Sequence, residues 1–160
     1  MAMHPVLILV GTLTGNADTV AHELAAAFEL VDFVPTVLNM YDADLTIFEH
    51  YQDIVICTST QGDGELPPDA ERFYDALETS TPDLGAVAFA VCALGDHDYD
   101  PYFCAAGTTF TALFEQLSAM RVMPNFEFDG EPTELTIEQA QAWALDVAAC
   151  FQAVTVEAVA

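Results

Sequence analysis

Pro5-Val6-Leu7-Ile8-Leu9-Val10-Gly11-Thr12-Leu13-Thr14-Gly15-Asn16-Ala17 begins as an unbroken apolar run, stops on a glycine and opens a polar turn. The run shows no alternation of apolar and polar residues. It therefore reads as a strand buried on both faces, the mark of a parallel sheet. Asn16 to Glu29 follows as a helix, with Val20, Leu24 and Phe28 recurring on one face. The same unit then recurs along the chain. Phe33 to Leu38 reads as a second, more exposed strand, and Asp53 to Thr58 as a third that is apolar inside. Asp69 to Glu78 reads as a helix entered through Pro67-Pro68. Ala86 to Leu94 is a fourth strand, Thr108 to Met120 a helix, and Arg121 to Phe128 a fifth strand weakened by Pro124. Ile137 to Phe151 closes the pattern as a helix with Trp143 and Val147 inward. Alternation of this kind predicts an α/β fold, a five-stranded parallel sheet covered by helices on both faces in a three-layer α/β/α sandwich.

The bulk numbers bound the rest. A chain of 160 residues with 53% hydrophobic content suits one domain, spanning residues 1–160, with one continuous core. No apolar run is long enough to span a bilayer, and Met1 to Pro5 carries no basic leader, so a cytoplasmic protein is expected. Cys57, Cys92, Cys104 and Cys150 form no C-x-x-C pair and read as free thiols, Cys57 and Cys92 inside strand-like runs. His4, His22, His50 and His97 are scattered without zinc-type spacing, and no metal is expected. The charge is extreme: 26 acids against 2 arginines, Arg72 and Arg121, give a formal net charge of −24 with no lysine. Such a surface repels nucleic acid and anionic membranes. It suits either docking to a basic protein or life in high salt, and the sequence does not separate the two.

In a doubly wound sheet, ligands bind beyond the carboxyl ends of the strands. The loops there are polar and rich in glycine. After strand one, Thr12, Thr14 and Gly15 precede the free N–H groups of a helix start. Together they make an anion cradle that needs no lysine, although an ordinary N-cap turn explains the same residues. The loop is neither a Walker A motif nor G-x-G-x-x-G, which disfavours a nucleoside triphosphate or a dinucleotide. After strand three, Thr58-Ser59-Thr60-Gln61-Gly62-Asp63-Gly64-Glu65 combines hydroxyls with turn formers, and Asp63 and Glu65 read as solvated turn acids. After strand four, Gly95-Asp96-His97-Asp98-Tyr99-Asp100-Pro101-Tyr102-Phe103-Cys104 places aromatic residues in a polar loop, a platform for a flat ring with Tyr99 the preferred stacking residue. Phe103 reads as folding this loop onto the core.

In this order and spacing the three loops resemble those of the flavodoxin superfamily. Thr12-Leu13-Thr14-Gly15-Asn16-Ala17 resembles its S/T-x-T-G-N-T/A phosphate loop. Thr60 to Asp69 resembles its second flavin loop, and Leu94-Gly95-Asp96 through Tyr99 to Phe103-Cys104-Ala105-Ala106-Gly107 its third. The likeness covers nearly the whole chain and is nearest to short, MioC-like flavodoxins and to the FMN domains of diflavin reductases. It implies strand order 2-1-3-4-5 and FMN as cofactor. It assigns Thr12, Leu13, Thr14, Gly15, Asn16 and Ala17 to the phosphate, and Ser59, Thr60, Gln61, Gly62, Asp63 and Gly64 to one side of the ring and the ribityl chain. Leu94, Gly95, Asp96, Tyr99, Phe103 and Cys104 fall to the other side. It also implies that a peptide of the second loop turns its carbonyl toward the flavin on reduction, here Gln61–Gly62 or Gly62–Asp63. This sequence departs from the pattern at Gln61, where relatives carry an aromatic residue or histidine, at Ala17, where threonine is common, and in a third loop one residue longer near Pro101-Tyr102.

The function so implied is single-electron transfer between proteins, with no catalytic residue in the acid–base sense. The carboxylates of Asp63, Glu65, Asp96, Asp98 and Asp100 are candidates for lowering the flavin potential. Expected partners are a basic NAD(P)H-dependent flavodoxin or ferredoxin reductase and redox acceptor proteins, with no nucleic acid and no membrane, for a monomeric chain. The competing reading is an FMN-dependent NAD(P)H:quinone or nitro reductase, which needs a substrate pocket that no segment clearly supplies. A signalling receiver domain is excluded, because it requires a lysine near the switch point and the chain has none.

Overall fold

The apolar runs of the sequence become the middle of a sheet because each is buried on both faces. In the computed structural model, which describes residues 3–159, β1 (His4–Gly11), β3 (Asp53–Thr58) and β4 (Ala88–Gly95) have almost fully buried interiors. β2 (Phe33–Asn39) lies at the edge and is half exposed, as its mixed composition requires. All pairings are parallel, in the order β2-β1-β3-β4-β5, where β5 is Met120–Arg121. Alternate residues of each strand feed two cores. Val6, Ile8, Val10 and Val55 face α1 (Asn16–Glu29) and α4 (Glu134–Val159). Leu7, Leu9, Ile54 and Ile56 face α2 (Pro68–Ser80) and α3 (Ala105–Gln116). This is the expected three-layer sandwich.

The fifth sheet position differs from a single strand over Arg121 to Phe128. It is filled by two short strands, β5 (Met120–Arg121) against Ala88 and Phe89, and β6 (Phe126–Asp129) against Cys92 to Gly95. Pro124 lies in the gap, where its missing N–H would have broken the ladder. The expected alternation also fails once. The link from β2 to β3 holds no α-helix but two 3₁₀ turns, Met40–Asp42 and Leu45–Glu49, capped by the side chains of Asn39 and Asp44.

Helix bounds shift for local reasons. α2 begins at Pro68, whose fixed φ suits a first helical turn. α3 begins three residues before the expected Thr108, because Cys104 adopts a left-handed conformation that turns the chain into the helix. α4 begins at Glu134, because Thr133 and Thr136 cap each other: the Thr136 N–H donates to Thr133 Oγ1 at 3.1 Å and the Thr133 N–H to Thr136 Oγ1 at 2.7 Å. The register aligns Gly11 with Thr58, and Thr58 with Ala93. The loops that leave β1, β3 and β4 therefore emerge side by side at one edge, across the point where the chain order reverses.

Candidate functional site

The β1–α1 turn is a loop braced from within. Gly15 sits at φ +93° with nothing within 4 Å of a Cβ placed there, so the constraint is conformational and not steric. Its N–H donates to Thr12 Oγ1 at 3.0 Å. The Thr12 N–H donates to both carboxylate oxygens of Asp69, each at 3.1 Å. Among the described residues, the N–H groups of Leu13, Thr14, Asn16 and Ala17 find no acceptor in the protein. Gly15 supplies no side-chain cap to α1. Four donors at a helix start, with the positive end of its dipole behind them, form an anion site without a cation.

The β3–α2 loop is tied down at both ends. The Ser59 N–H donates to the Gly11 carbonyl at 2.9 Å, and Thr60 Oγ1 accepts the Ala106 N–H at 3.2 Å. Between them Gln61 and Glu65 close a small hairpin, with Gly62 at φ +40° and Gly64 at φ +91°. The Gln61 carbonyl accepts two N–H groups, from Gly64 at 2.9 Å and Glu65 at 2.8 Å. Turning the Gln61–Gly62 peptide would break both bonds.

The β4–α3 loop is clasped to the end of β6 and the glycine that follows it. His97 donates its backbone N–H to Asp129 Oδ1 at 3.0 Å, and its Nδ1 lies 2.8 Å from Asp129 Oδ2. The Asp129 hydrogen bond, with help from Asp129 and Asp98 charge, raises the His97 pKa, while the His97 N–H groups lower that of Asp129. The Gly130 N–H adds a bond to the Gly95 carbonyl at 2.8 Å.

These loops surround an open cavity of about 390 Å³, within the range of roughly 300–1,000 Å³ usual for small-molecule sites. Thr14 and Asn16 line it from the first loop, Ser59, Thr60, Gln61 and Gly62 from the second, and Leu94, Gly95, Asp96 and Tyr99 from the third. Tyr99 stands at the rim, 62% exposed. The other expected residues do not line the wall. Thr12 and Gly15 brace the first loop, Ala17 is buried with its carbonyl accepting the Cys57 thiol, and Leu13 points to solvent. Asp63 and Gly64 lie in the hairpin, Phe103 packs against the core, and Cys104 is buried under Gly95. Burial, then Glu127 and Asp129, pushes the Cys104 thiol up to about 12. The cavity also takes Tyr102, Gly130 and Glu131, which the sequence pattern does not assign to it. Asp129-Gly130 is visible in the sequence as a turn signal after a strand, but its arrival at this edge depends on the split of β5 from β6.

The cavity fits FMN in kind. It offers unpaired amides at one end, where a phosphate requires them, and a tyrosine beside an apolar strand end at the other. Comparison with known proteins agrees. The family model for flavodoxin matches residues 8–143. NADPH oxidoreductase A of Dictyostelium discoideum is 39% identical over 129 residues, which are 79% of this chain and 20% of that protein. The chain thus spans about a fifth of that relative's length. Flavodoxin YqcA of Pectobacterium carotovorum is 36% identical over 143 residues, covering 86% of this chain and 93% of that one. A solved structure of a cysteine-to-alanine mutant of flavodoxin from Pseudomonas aeruginosa superposes with a TM-score of 0.83 at 27% identity, over 92% of this chain and 99% of that one.

Proposed function

The chain belongs to the flavodoxin family, and from that premise we propose that it binds FMN and carries single electrons between a reductase and acceptor proteins. The observation that carries the reading is the first loop, whose four unpaired amides form a phosphate site in a chain with no lysine. FMN supplies the redox chemistry when bound. The amides of Leu13, Thr14, Asn16 and Ala17 hold its phosphate. Ser59, Thr60 and Gln61 line one side of the ring and Leu94, Gly95 and Tyr99 the other. Asp96 and Glu131 on the wall disfavour added negative charge on the ring and so lower its potential. The acidic surface guides a basic NAD(P)H-dependent reductase to the exposed edge. The short path from Arg121 to Phe128, with no long insertion, supports the short, MioC-like class, and the cytoplasm is the compartment we assign.

The test is flavin titration followed by anaerobic reduction. The expected result is one FMN per chain, with quenched flavin fluorescence. The reduced protein then passes electrons to a one-electron haem acceptor and does not oxidise NAD(P)H without a reductase. Steady NAD(P)H oxidation by the protein alone would move the reading to the quinone or nitro reductase. No uptake of FMN would leave the fold without this function.

A further inference from the structure

Asp69 belongs to the first turn of α2, yet its carboxylate is spent on other segments of the chain. It accepts the Thr12 N–H, 57 residues away, and the Asn39 side-chain amide at 2.7 Å, 30 residues away. Asn39 is itself fixed, because its Oδ1 accepts the Tyr41 N–H at 2.8 Å, which turns its nitrogen toward Asp69. Arg72, one turn along α2, donates to the Tyr41 carbonyl and lies 5.1 Å from the centre of the Tyr41 ring. The carboxylate is thus held from two segments outside its own helix, the β1–α1 turn through Thr12 and the end of β2 through Asn39.

Resting on the FMN reading above, we propose that Asp69 is a positioning residue that holds the phosphate loop in its anion-binding shape. By taking the Thr12 N–H, Asp69 fixes the orientation of the Thr12 peptide. The Thr12 hydroxyl can then accept the Gly15 N–H, and the loop turns at Gly15 so that the four remaining amides stay free. The role runs against simple electrostatics. A carboxylate near a bound phosphate dianion repels it, so charge alone says that removing Asp69 tightens FMN binding. The hydrogen-bond geometry says the reverse.

Riboflavin carries the ring and ribityl chain of FMN without the phosphate, and it separates the two accounts. Dissociation constants for FMN and riboflavin are measured by flavin fluorescence on the apo forms of the wild type, Asp69→Asn, Asp69→Ala and Asn39→Ala. Loss of charge-assisted hydrogen bonds predicts FMN binding weakened roughly 10- to 100-fold in Asp69→Ala, less in Asp69→Asn, with riboflavin affinity unchanged. FMN bound as tightly as by the wild type, or more tightly, by both Asp69 variants overturns the role. Should Asp69→Ala lose riboflavin as well, Asn39→Ala decides. That variant keeps the Asp69–Thr12 contact but removes the side chain that fixes the carboxylate. A loss confined to FMN supports the role there, and an unchanged FMN-to-riboflavin ratio overturns it. A wild type that takes up neither flavin overturns the FMN reading, and the role of Asp69 with it. A wild type that binds FMN beside unaltered variants overturns only the role of Asp69.

Discussion

Gly107 shows how a single residue is set by its surroundings and not by its own element. It lies inside α3, where alanine is the better helix former by roughly 1 kcal/mol. A Cβ there would stand 2.5 Å from the Ala93 Cβ and 3.3 Å from Val91 Cγ1, both on the central strand β4. Overpacking against a rigid strand costs about 1–3 kcal/mol, so the clash outweighs the gain. Gly107→Ala is expected to lower the urea midpoint, and a raised midpoint would show that α3 can shift outward freely. The thiols follow the same logic of burial. Cys57, Cys92 and Cys104 are buried, burial raises the pKa of Cys92 and Cys104, and Cys150 is half-buried. Native protein treated with iodoacetamide at pH 8 is expected to be labelled at Cys150 alone, as read by mass spectrometry. Labelling of Cys104 in the folded state would contradict its burial under Gly95. The sequence marks Gly107 and Cys104 as part of a family pattern but cannot say why each residue type is needed. Their reasons are contacts to β4 and to Phe128 of β6, which no local window contains.

At the scale of elements, legibility tracks periodicity. β1, β3 and β4 are plain because a strand buried on both faces is apolar at every position. α1 is plain because one face repeats at helical spacing. The β2–β3 link reads as helical only by analogy with its neighbours, whereas Asn39 and Asp44 are cap residues that start short turns. The split of β5 from β6 is only hinted at by Pro124, and with it goes the placing of Gly130 and Glu131 on the cavity wall. Ten of the expected site residues reach that wall because the loops are recognisable whole. The clasp between His97 and Asp129 is unreadable, since its partners lie 32 residues apart. Its pH dependence follows from the two shifts. His97 is raised, so its share of the clasp is present at low pH and lost as pH rises through the raised value. Asp129 is lowered, so its share is present above the ordinary carboxylate range and lost as pH falls through the lowered value. The clasp is therefore closed in mildly acidic solution. NMR titration is expected to place the His97 imidazole above the usual histidine value of about 6.5 and to lower it toward that value in Asp129→Asn, with Asp98 and Asp96 still raising it. An unmoved His97 in that variant would mean that Asp96 and Asp98 set the shift instead.

Across the whole molecule the dominant fact is uncompensated negative charge. Every ion pair among the described residues joins a carboxylate to a histidine. The two arginines are used otherwise, Arg72 on the Tyr41 carbonyl and Arg121 on Asn125 Oδ1 at 3.2 Å. The net charge of −24 is thus left to the solvent ions to screen. The Debye length falls from about 10 Å at 0.1 M salt to about 3 Å at 1 M, so self-repulsion among surface carboxylates should fade across that range. The melting temperature is expected to rise with KCl between these concentrations and to rise much less with an uncharged osmolyte of matched osmolality. The same screening acts in the opposite direction on partner docking. If the acidic surface guides a basic reductase, the bimolecular rate of reduction must fall over the range in which stability rises. The two measurements together separate the origins of the charge. Stability that climbs with KCl while the reduction rate holds steady assigns the acidity to salt tolerance alone. A falling rate with flat stability assigns it to docking. Both responses together mean that one surface serves both, and that the salt at which the protein is most stable is not the salt at which it exchanges electrons fastest.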